Sequence, residues 1–408
     1  MLHTNKFVGG TLLVAGTSIG GGMLLIPIMC SFAGFTPSLF LLGFVWFFML
    51  VTAFLFLEVN LAIPGEINLV TMAETTLGKT GKVVSWVTYL LLLYSLLAAY
   101  IAGSKTIFAD VFQYLGFEVS DWVTPLPLLA IFGVFIYLGT RTVDYVNRLL
   151  ILGLIVTYFI IAFFLPSYVD YRLLAHVDVR ALIVGVPLLF TSYGFHIIIP
   201  SLTNYMERDR KKLSLTLFVG SLIPLFIYIL WQFLILGTVP LYGEIGLAAA
   251  WLNGEASTQP LMQVIKSPVI ATTSRFFAFF ALITSFLGVS LSLASFLRDG
   301  LKIKKDSLGR LGSCLLTFIP PLFFVYFYEK GFMLALQYAA VFVVILLVIM
   351  PALMTWKLKE KSFWSTALGR LSLLFIILVG VLVILIDIAE ELGYLKYLVT
   401  SYLPMTNV

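Results

Sequence analysis

Charge is what this chain has least of. Only 11% of its 408 residues are Asp, Glu, Lys or Arg, against 61% that are hydrophobic. A soluble globular domain carries about 25% charged residues, so the chain holds less than half the charge that would solvate its surface. That excludes a soluble enzyme, a disordered protein and a secreted disulfide scaffold. Cysteine is nearly absent: Cys30 and Cys314 fall at opposite ends of their apolar segments, which argues against a disulfide and leaves the redox compartment open. Catalytic constellations are missing as well. There is no H-E-x-x-H, no aspartate pair within an apolar run and no Walker A loop, and His196 is the one histidine inside such a run. A membrane-embedded enzyme and a primary pump are therefore disfavoured. No charged ring or filter-like repeat suggests a channel, and the loops are too short for a receptor's output domain. Basic residues are not interleaved with exposed aromatics, so the net charge of +5 reads as loop charge rather than a nucleic-acid surface.

What is present is apolar sequence in long runs, with 36 Phe, 19 Tyr and 7 Trp. A membrane-spanning helix needs about 20 apolar residues. Eleven segments meet or approach this: Phe7–Met29, Pro37–Leu61, Val83–Phe112, Val123–Gly139, Val143–Leu165, Arg180–Met206, Leu213–Val239, Val269–Leu301, Leu311–Tyr328, Gly331–Trp356 and Thr366–Ala389. The stretch Glu66–Leu77 is too short and polar to span and reads as an interfacial amphipathic helix. A further short helix is expected around Leu247–Trp251. The first run has only Met1 to Lys6 before it and no A-x-A-like cleavage site, so it is expected to be a retained span. Eighteen of the 25 basic residues fall on one side, including Lys79, Lys82, Arg141, Arg148, Arg208 to Lys212, Arg298 to Arg310 (with Lys305), and Lys357 to Arg370 (with Lys359 and Lys361). By the positive-inside bias that side is cytoplasmic, which puts the N-terminus inside and the C-terminus outside.

The first and sixth segments repeat one another. The first contains Thr17-Ser18-Ile19-Gly20-Gly21-Gly22-Met23-Leu24-Leu25-Ile26-Pro27. The sixth contains Phe190-Thr191-Ser192-Tyr193-Gly194-Phe195-His196-Ile197-Ile198-Ile199-Pro200. Aligned on the prolines, a glycine (Gly21 over Gly194) and three aliphatics coincide, and a hydroxyl pair falls into near register. Each interior glycine costs a helix about 1 kcal/mol, so three in succession open the hydrogen-bond ladder. The freed backbone is tolerated only inside protein or along a cavity. Five segments separate the two motifs, so the halves enter the membrane in opposite orientations. Paired discontinuous helices in inverted halves are the signature of a transporter's substrate site. Close helix packing at the glycines is the competing explanation, and it accounts for one break better than for two.

At these residues the sequence resembles the hydroxy/aromatic amino acid permease family, the bacterial tyrosine and tryptophan permeases. The resemblance covers nearly the whole chain. It is densest in Val14–Met23, Leu57-Glu58-Val59, Ala98–Gly103, Phe190–His196, Thr284–Val289, Thr317–Leu322 and Pro351–Trp356. It implies an all-α membrane protein in one transmembrane domain, residues 1–408. Two inverted repeats of five helices, residues 6–165 and 179–356, would be followed by an eleventh helix at 365–390. It also implies cation-coupled import of an aromatic amino acid, tyrosine first, with tryptophan and phenylalanine as further substrates. The location would be the bacterial inner membrane, with no cofactor beyond the coupling ion, no nucleic acid and no obligate protein partner. The alternative is a proton-coupled permease for another neutral amino acid.

On that fold, amides of Gly20, Gly21 and Gly22 with the hydroxyls of Thr17 and Ser18 would receive the substrate carboxylate. Carbonyls of Thr191, Ser192 and Tyr193 would accept from its ammonium, and the missing Cβ at Gly20, Gly21 and Gly194 would leave room for the ring. Phe195 either stacks on the substrate or packs the core. His196 either meets a tyrosine hydroxyl or a proton, or fixes the helix break as a neutral ring. Tyr100 and Gln337 are each either pocket residues or packing residues. Ala281, Thr284 and Ser285 share a helix face. With the carbonyls of Gly16 and Ile19 they resemble the sodium site of sodium-coupled relatives, although the two hydroxyls also suit back-bonding to their own helix. Proton-coupled relatives place a lysine midway along the fifth helix, where this chain has Gly153-Leu154-Ile155, which favours sodium. Glu58 reads as a proton carrier or as a gate residue pairing with a cytoplasmic arginine such as Arg148.

Overall fold

A computed structural model describes residues 6–65, 67–304, 306–328, 330–358 and 363–402. The positions Glu66, Lys305, Lys359 and Lys361 lie outside the described residues. Those described are mostly helical, with no strand among them. In chain order the α-helices are α1 (Lys6–Ser18), α2 (Ile26–Ser31), α3 (Phe35–Ala62), α4 (Leu69–Tyr114), α5 (Leu126–Leu138), α6 (Thr140–Phe164), α7 (Leu182–Ser192), α8 (Ile199–Tyr205) and α9 (Arg210–Leu236). They continue with α10 (Leu247–Asn253), α11 (Thr258–Val264), α12 (Pro268–Gly300), α13 (Ser307–Phe327), α14 (Gly331–Val344), α15 (Met350–Lys357), α16 (Ala367–Glu391) and α17 (Tyr397–Thr400).

Nine helical stretches among the described residues are long and apolar enough to cross a membrane, and the first segment adds a tenth as a pair bent by 50°. The protein is thus a multi-pass membrane protein. The fourth expected segment is shorter than predicted. Residues 121–125 form a turn, and helix begins only after Pro125. That leaves α5 with 13 residues, or about 20 Å at 1.5 Å per residue, against a hydrocarbon core of about 30 Å. The interfacial helix is present, but α4 continues from it into the third segment across a kink at Gly78, whose φ of 74° admits no ordinary side chain without strain. The connection between α9 and α12 holds two short helices, α10 and α11, where one was expected.

Loop polar residues start the helices at the end rich in basic residues. Asn68, Asp209, Asp306 and Thr366 each accept a backbone N–H two or three residues into the following helix, which satisfies donors that a helix start otherwise orphans. Two packed sets of helices result. In one, α1 and α3 both lie along α9, with α7 and α8 against α3; in the other, α4 lies along α12, α13 and α14, and α6 lies along α12.

Candidate functional site

The first segment breaks at its glycines. The α1 ladder ends where Ile19 N–H donates to the Ala15 carbonyl at 3.0 Å. Gly20 is then fully extended, a 3-10 turn covers Gly21–Leu24, and α2 starts with Pro27 in its first turn, where a missing N–H costs nothing. Other helices come close because there is no side chain to prevent it. A Cβ on Gly20 would stand 2.6 Å from Ser285 Oγ, and one on Gly21 would stand 2.8 Å from the Tyr100 ring. The Gly21 amide donates to Ser285 Oγ at 3.2 Å. Thus α4 and α12 both meet the backbone of the break.

The sixth segment breaks in the same manner. After Ser192 the chain leaves the helix at Tyr193 and Gly194, forms a 3-10 turn over Phe195–Ile198, and restarts as α8 with Pro200 in its first turn. The two breaks face one another: a Cβ on Gly22 would lie 3.2 Å from Ser192 Oγ. Tyr228 of α9, fully buried, joins them. Its hydroxyl donates to the Ser18 carbonyl at 2.6 Å and the Ser192 carbonyl at 3.1 Å.

The two ends of the bundle differ. Toward the basic loops a cavity of about 430 Å³ opens between α8 on one wall and α4 and α12 on the other. Asn68, Ser201, Asn204 and Ser292 supply its polar edges, and Tyr89 and Phe296, edge to face at 4.9 Å, supply an aromatic wall. The opposite end is plugged. Ser257 N–H before α11 donates to the Leu24 carbonyl at 2.9 Å, and Trp251 of α10 stands edge to face against Phe32. Asp178 N–H donates to the Ala33 carbonyl. Gly34, with φ of 87°, passes so close to the His176 carbonyl that a Cβ would sit 1.9 Å from it. The Tyr402 hydroxyl closes the plug by donating to the Asp178 carboxylate at 2.7 Å, and this bond holds that carboxyl below its ordinary value.

Several residues singled out from the sequence meet here. Gly20, Gly21, Gly22, Tyr100, Ser192 and Ser285 converge on the two breaks, and the buried Ser18 Oγ has no hydrogen-bond partner. Others stand elsewhere. Thr17 is exposed and its hydroxyl donates back to the Leu13 carbonyl. The Thr191 hydroxyl donates to the Pro187 carbonyl. Phe195 is fully buried against His196, with ring centroids at 5.1 Å. His196 Nε2 pairs with the Thr52 hydroxyl at 2.9 Å and its ring meets Phe56 edge to face, so the histidine ties the second break to α3. Gln337 turns away from the breaks: its amide donates to the Glu390 carboxylate of α16 at 2.7 Å, because α16 packs along α14 and brings that carboxylate to it. The Glu58 expectation is corrected in its partner, since Glu58 pairs with Arg210 while Arg148 pairs with Asp144 one turn away on its own helix. The hydroxyls of Thr284 and Ser285 donate to carbonyls of Phe280 and Ala281 in their own helix. Gly16 is exposed with open space around it, and Ile19 is partly buried.

Sequence reasoning missed Tyr228 and Arg208. Tyr228 lies in an apolar run with Trp231 and Gln232 at helical spacing, a polar face that the hydropathy of the run conceals. Arg208 was counted only as loop charge. Its guanidinium donates to the carbonyls of Asn60, Leu61, Ile63 and Gly65, closing the end of α3. It does so from a left-handed backbone, with φ of 59°.

The tryptophan/tyrosine permease family profile matches residues 3–387. The tyrosine-specific transport system 1 of Haemophilus influenzae is 37% identical over 97% of this chain and 100% of its own length. The tryptophan-specific transport protein of the same organism is 30% identical over 95% of the chain and 97% of its own length. Among solved structures, the manganese transporter of Eremococcus coleocola superposes with a TM-score of 0.61 at 14% identity, covering 95% of this chain and 88% of that one, a likeness of fold alone. These relatives are transport proteins, not enzymes.

Proposed function

The chain belongs to the tryptophan/tyrosine permease family, and from that premise we propose that it imports aromatic amino acids, tyrosine first, by cation-coupled symport and alternating access. The observation that carries the reading is the meeting of two broken helices around one buried hydroxyl, with glycine backbone on one side and an open cavity toward the basic loops on the other. On this reading the amides of Gly20 and Gly22 and the free Ser18 hydroxyl receive the carboxylate, with the positive end of the short helix behind them. The carbonyls of Ser18 and Ser192 receive the ammonium. The ring meets Tyr100, which packs directly against Gly21 because no side chain stands between them.

Two inverted repeats, 6–165 and 179–356, with an eleventh helix after them, account for the matched position of the breaks and for their restart at Pro27 and Pro200. The short α5 then serves as the fourth crossing, lengthened by the turn before it. The coupling ion is sodium, held by the Ala281 carbonyl and the hydroxyl oxygens of Thr284 and Ser285 with the carbonyls of Gly16 and Ile19. Two facts support this choice: Ser285 reaches the first break, and α6 has no lysine at mid-span. The basic loops face the cytoplasm, the membrane is the bacterial inner membrane, and the cavity between α8 and α12 is the route inward. The structure is then the inward-open state, with α10, α11 and the Tyr402 contact sealing the outside.

The test is uptake of radiolabelled tyrosine into proteoliposomes under an inward sodium gradient or an inward proton gradient, with unlabelled tryptophan, phenylalanine and leucine as competitors. Accumulation under sodium alone, lost in Thr284→Ala and competed by the aromatics, is expected. Accumulation under protons alone removes the sodium site, and no competition by aromatics removes the substrate class.

A further inference from the structure

We propose that Tyr228 is a positioning residue for transport: its one hydroxyl holds the two helix breaks in register so that the Ser18 and Ser192 carbonyls converge on the substrate's ammonium. The inference rests on the functional reading above and adds to it a residue that touches neither the substrate's ring nor its carboxylate.

The geometry is specific. Ser18 closes α1 and Ser192 closes α7, so each carbonyl sits where its helix ladder stops. These two points are 174 residues apart in the chain, yet one phenol oxygen lies 2.6 Å from the first and 3.1 Å from the second. A phenol has one proton to give, so the two carbonyls share it, the nearer taking the larger part. The ring is fixed from behind by Tyr193 at 5.3 Å and by complete burial. Its helix, α9, continues through Pro224 as one element beside α1 and α3, a continuous post between two interrupted ones.

A carbonyl oxygen has two lone pairs. Tyr228 occupies one on each, leaving the other for an ammonium, and an ammonium that bridges two pre-aimed carbonyls does not have to orient them on arrival. Remove the phenol proton and the carbonyls are tied only by their own chains. They then turn separately toward water or other donors, and substrate binding has to restore their alignment. The loss falls on the ammonium end of the substrate, because the carboxylate and the ring meet other groups.

This selectivity gives the test. Equilibrium binding to the purified full chain is measured for tyrosine, for tyramine, which lacks the carboxylate, and for 3-(4-hydroxyphenyl)propionate, which lacks the ammonium. In Tyr228→Phe the Kd for tyrosine and for tyramine is expected to rise about tenfold, while the Kd for the hydroxyphenylpropionate stays as in the wild type. An equal change for all three ligands, or none for any, overturns the proposal. A general loosening of the fold would weaken all three alike. If the phenylalanine variant fails to fold, 4-aminophenylalanine and 4-methylphenylalanine are incorporated at position 228. Both fill the space, but only the amine donates, and it alone is expected to keep wild-type affinity for tyrosine; equal behaviour of the two also overturns the proposal. A wild-type protein that binds none of these ligands overturns the functional reading first, and that outcome is distinct from a tyrosine-binding wild type whose position 228 has no effect.

Discussion

A methyl group added at Gly21 tests whether the first break is a working surface or a packing accident. In Gly21→Ala the new Cβ would meet Tyr100 Cε1 at 2.8 Å, Tyr100 Cδ1 at 3.1 Å and Leu282 Cδ2 at 3.2 Å. Carbon atoms rest at about 3.5–4.0 Å, so α4 or the break has to give by roughly 0.7–1.2 Å. Tyr100 is only 7% exposed and lies mid-helix among Ala98, Ala99, Ile101 and Ala102, so it has little room to yield. Overpacking of this kind costs about 1–3 kcal/mol. The displacement also falls on the amide that donates to Ser285. We therefore expect a melting temperature lowered by several degrees and tyrosine uptake into proteoliposomes reduced at least about tenfold, since a misplacement near 1 Å at a binding constellation is poorly tolerated. Gly43→Ala is the control: it lies inside α3 with no atom within 4 Å of the new methyl. It is expected to leave uptake unchanged and to gain up to about 1 kcal/mol from helix propensity. Wild-type melting and uptake in Gly21→Ala would refute the reasoning, because the approach of α4 would then not be tight.

Other expectations follow from particular contacts. His196 and Thr52 form one unit, so Thr52→Val and His196→Ala should be non-additive in thermal stability by about 0.5 kcal/mol or more. His196→Ala should also leave the ratio of tyrosine to phenylalanine affinity unchanged; a change in that ratio would return the histidine to the substrate pocket. Arg208→Ala leaves four carbonyls at the end of α3 without their donor and should cost about 1.5–3 kcal/mol in chemical or thermal denaturation. Arg208→Lys should recover only part of that, since a single ammonium lacks the planar fork that reaches all four. The Tyr402 hydroxyl holds the Asp178 carboxyl below its ordinary 3.8. The bond therefore contributes fully at pH above that value and is lost as pH falls through the lower folded value. The melting difference between wild type and Tyr402→Phe should be constant near neutrality and close on acidification below 3.8; a difference that grows in acid would contradict it.

Much of the architecture was legible along the chain because a membrane imposes its own rules. The length of apolar runs, the glycine triplet before Pro27 and the Tyr193-Gly194 pair before Pro200 are local features. A helix whose ladder is interrupted by Gly20, Gly21 and Gly22 breaks there whatever surrounds it. The fourth segment shows the limit, since hydropathy extended it to Val123 while the turn through Thr124 and Pro125 starts the helix later.

The direction in which a polar side chain turns was decided only by the tertiary structure. His196 and Gln337 are equally conspicuous in sequence as polar residues inside apolar runs. Yet His196 turns to Thr52 of α3 and Gln337 to Glu390 of α16, since in a region without water each buried donor goes to the acceptor the packing brings nearest. Glu58 likewise finds Arg210, not Arg148, because α3 packs beside α9. Tyr228 is the clearest case. In sequence it is one of 19 tyrosines. It becomes the link between two distant helix breaks only when α9 lies between them, and no local propensity encodes a hydrogen bond across 210 residues of chain. The sequence by itself determined where the backbone opens, through glycine and proline acting on their own helix. Which groups fill the opening was left to packing, because hydrogen bonds in an apolar medium are assigned by proximity in space.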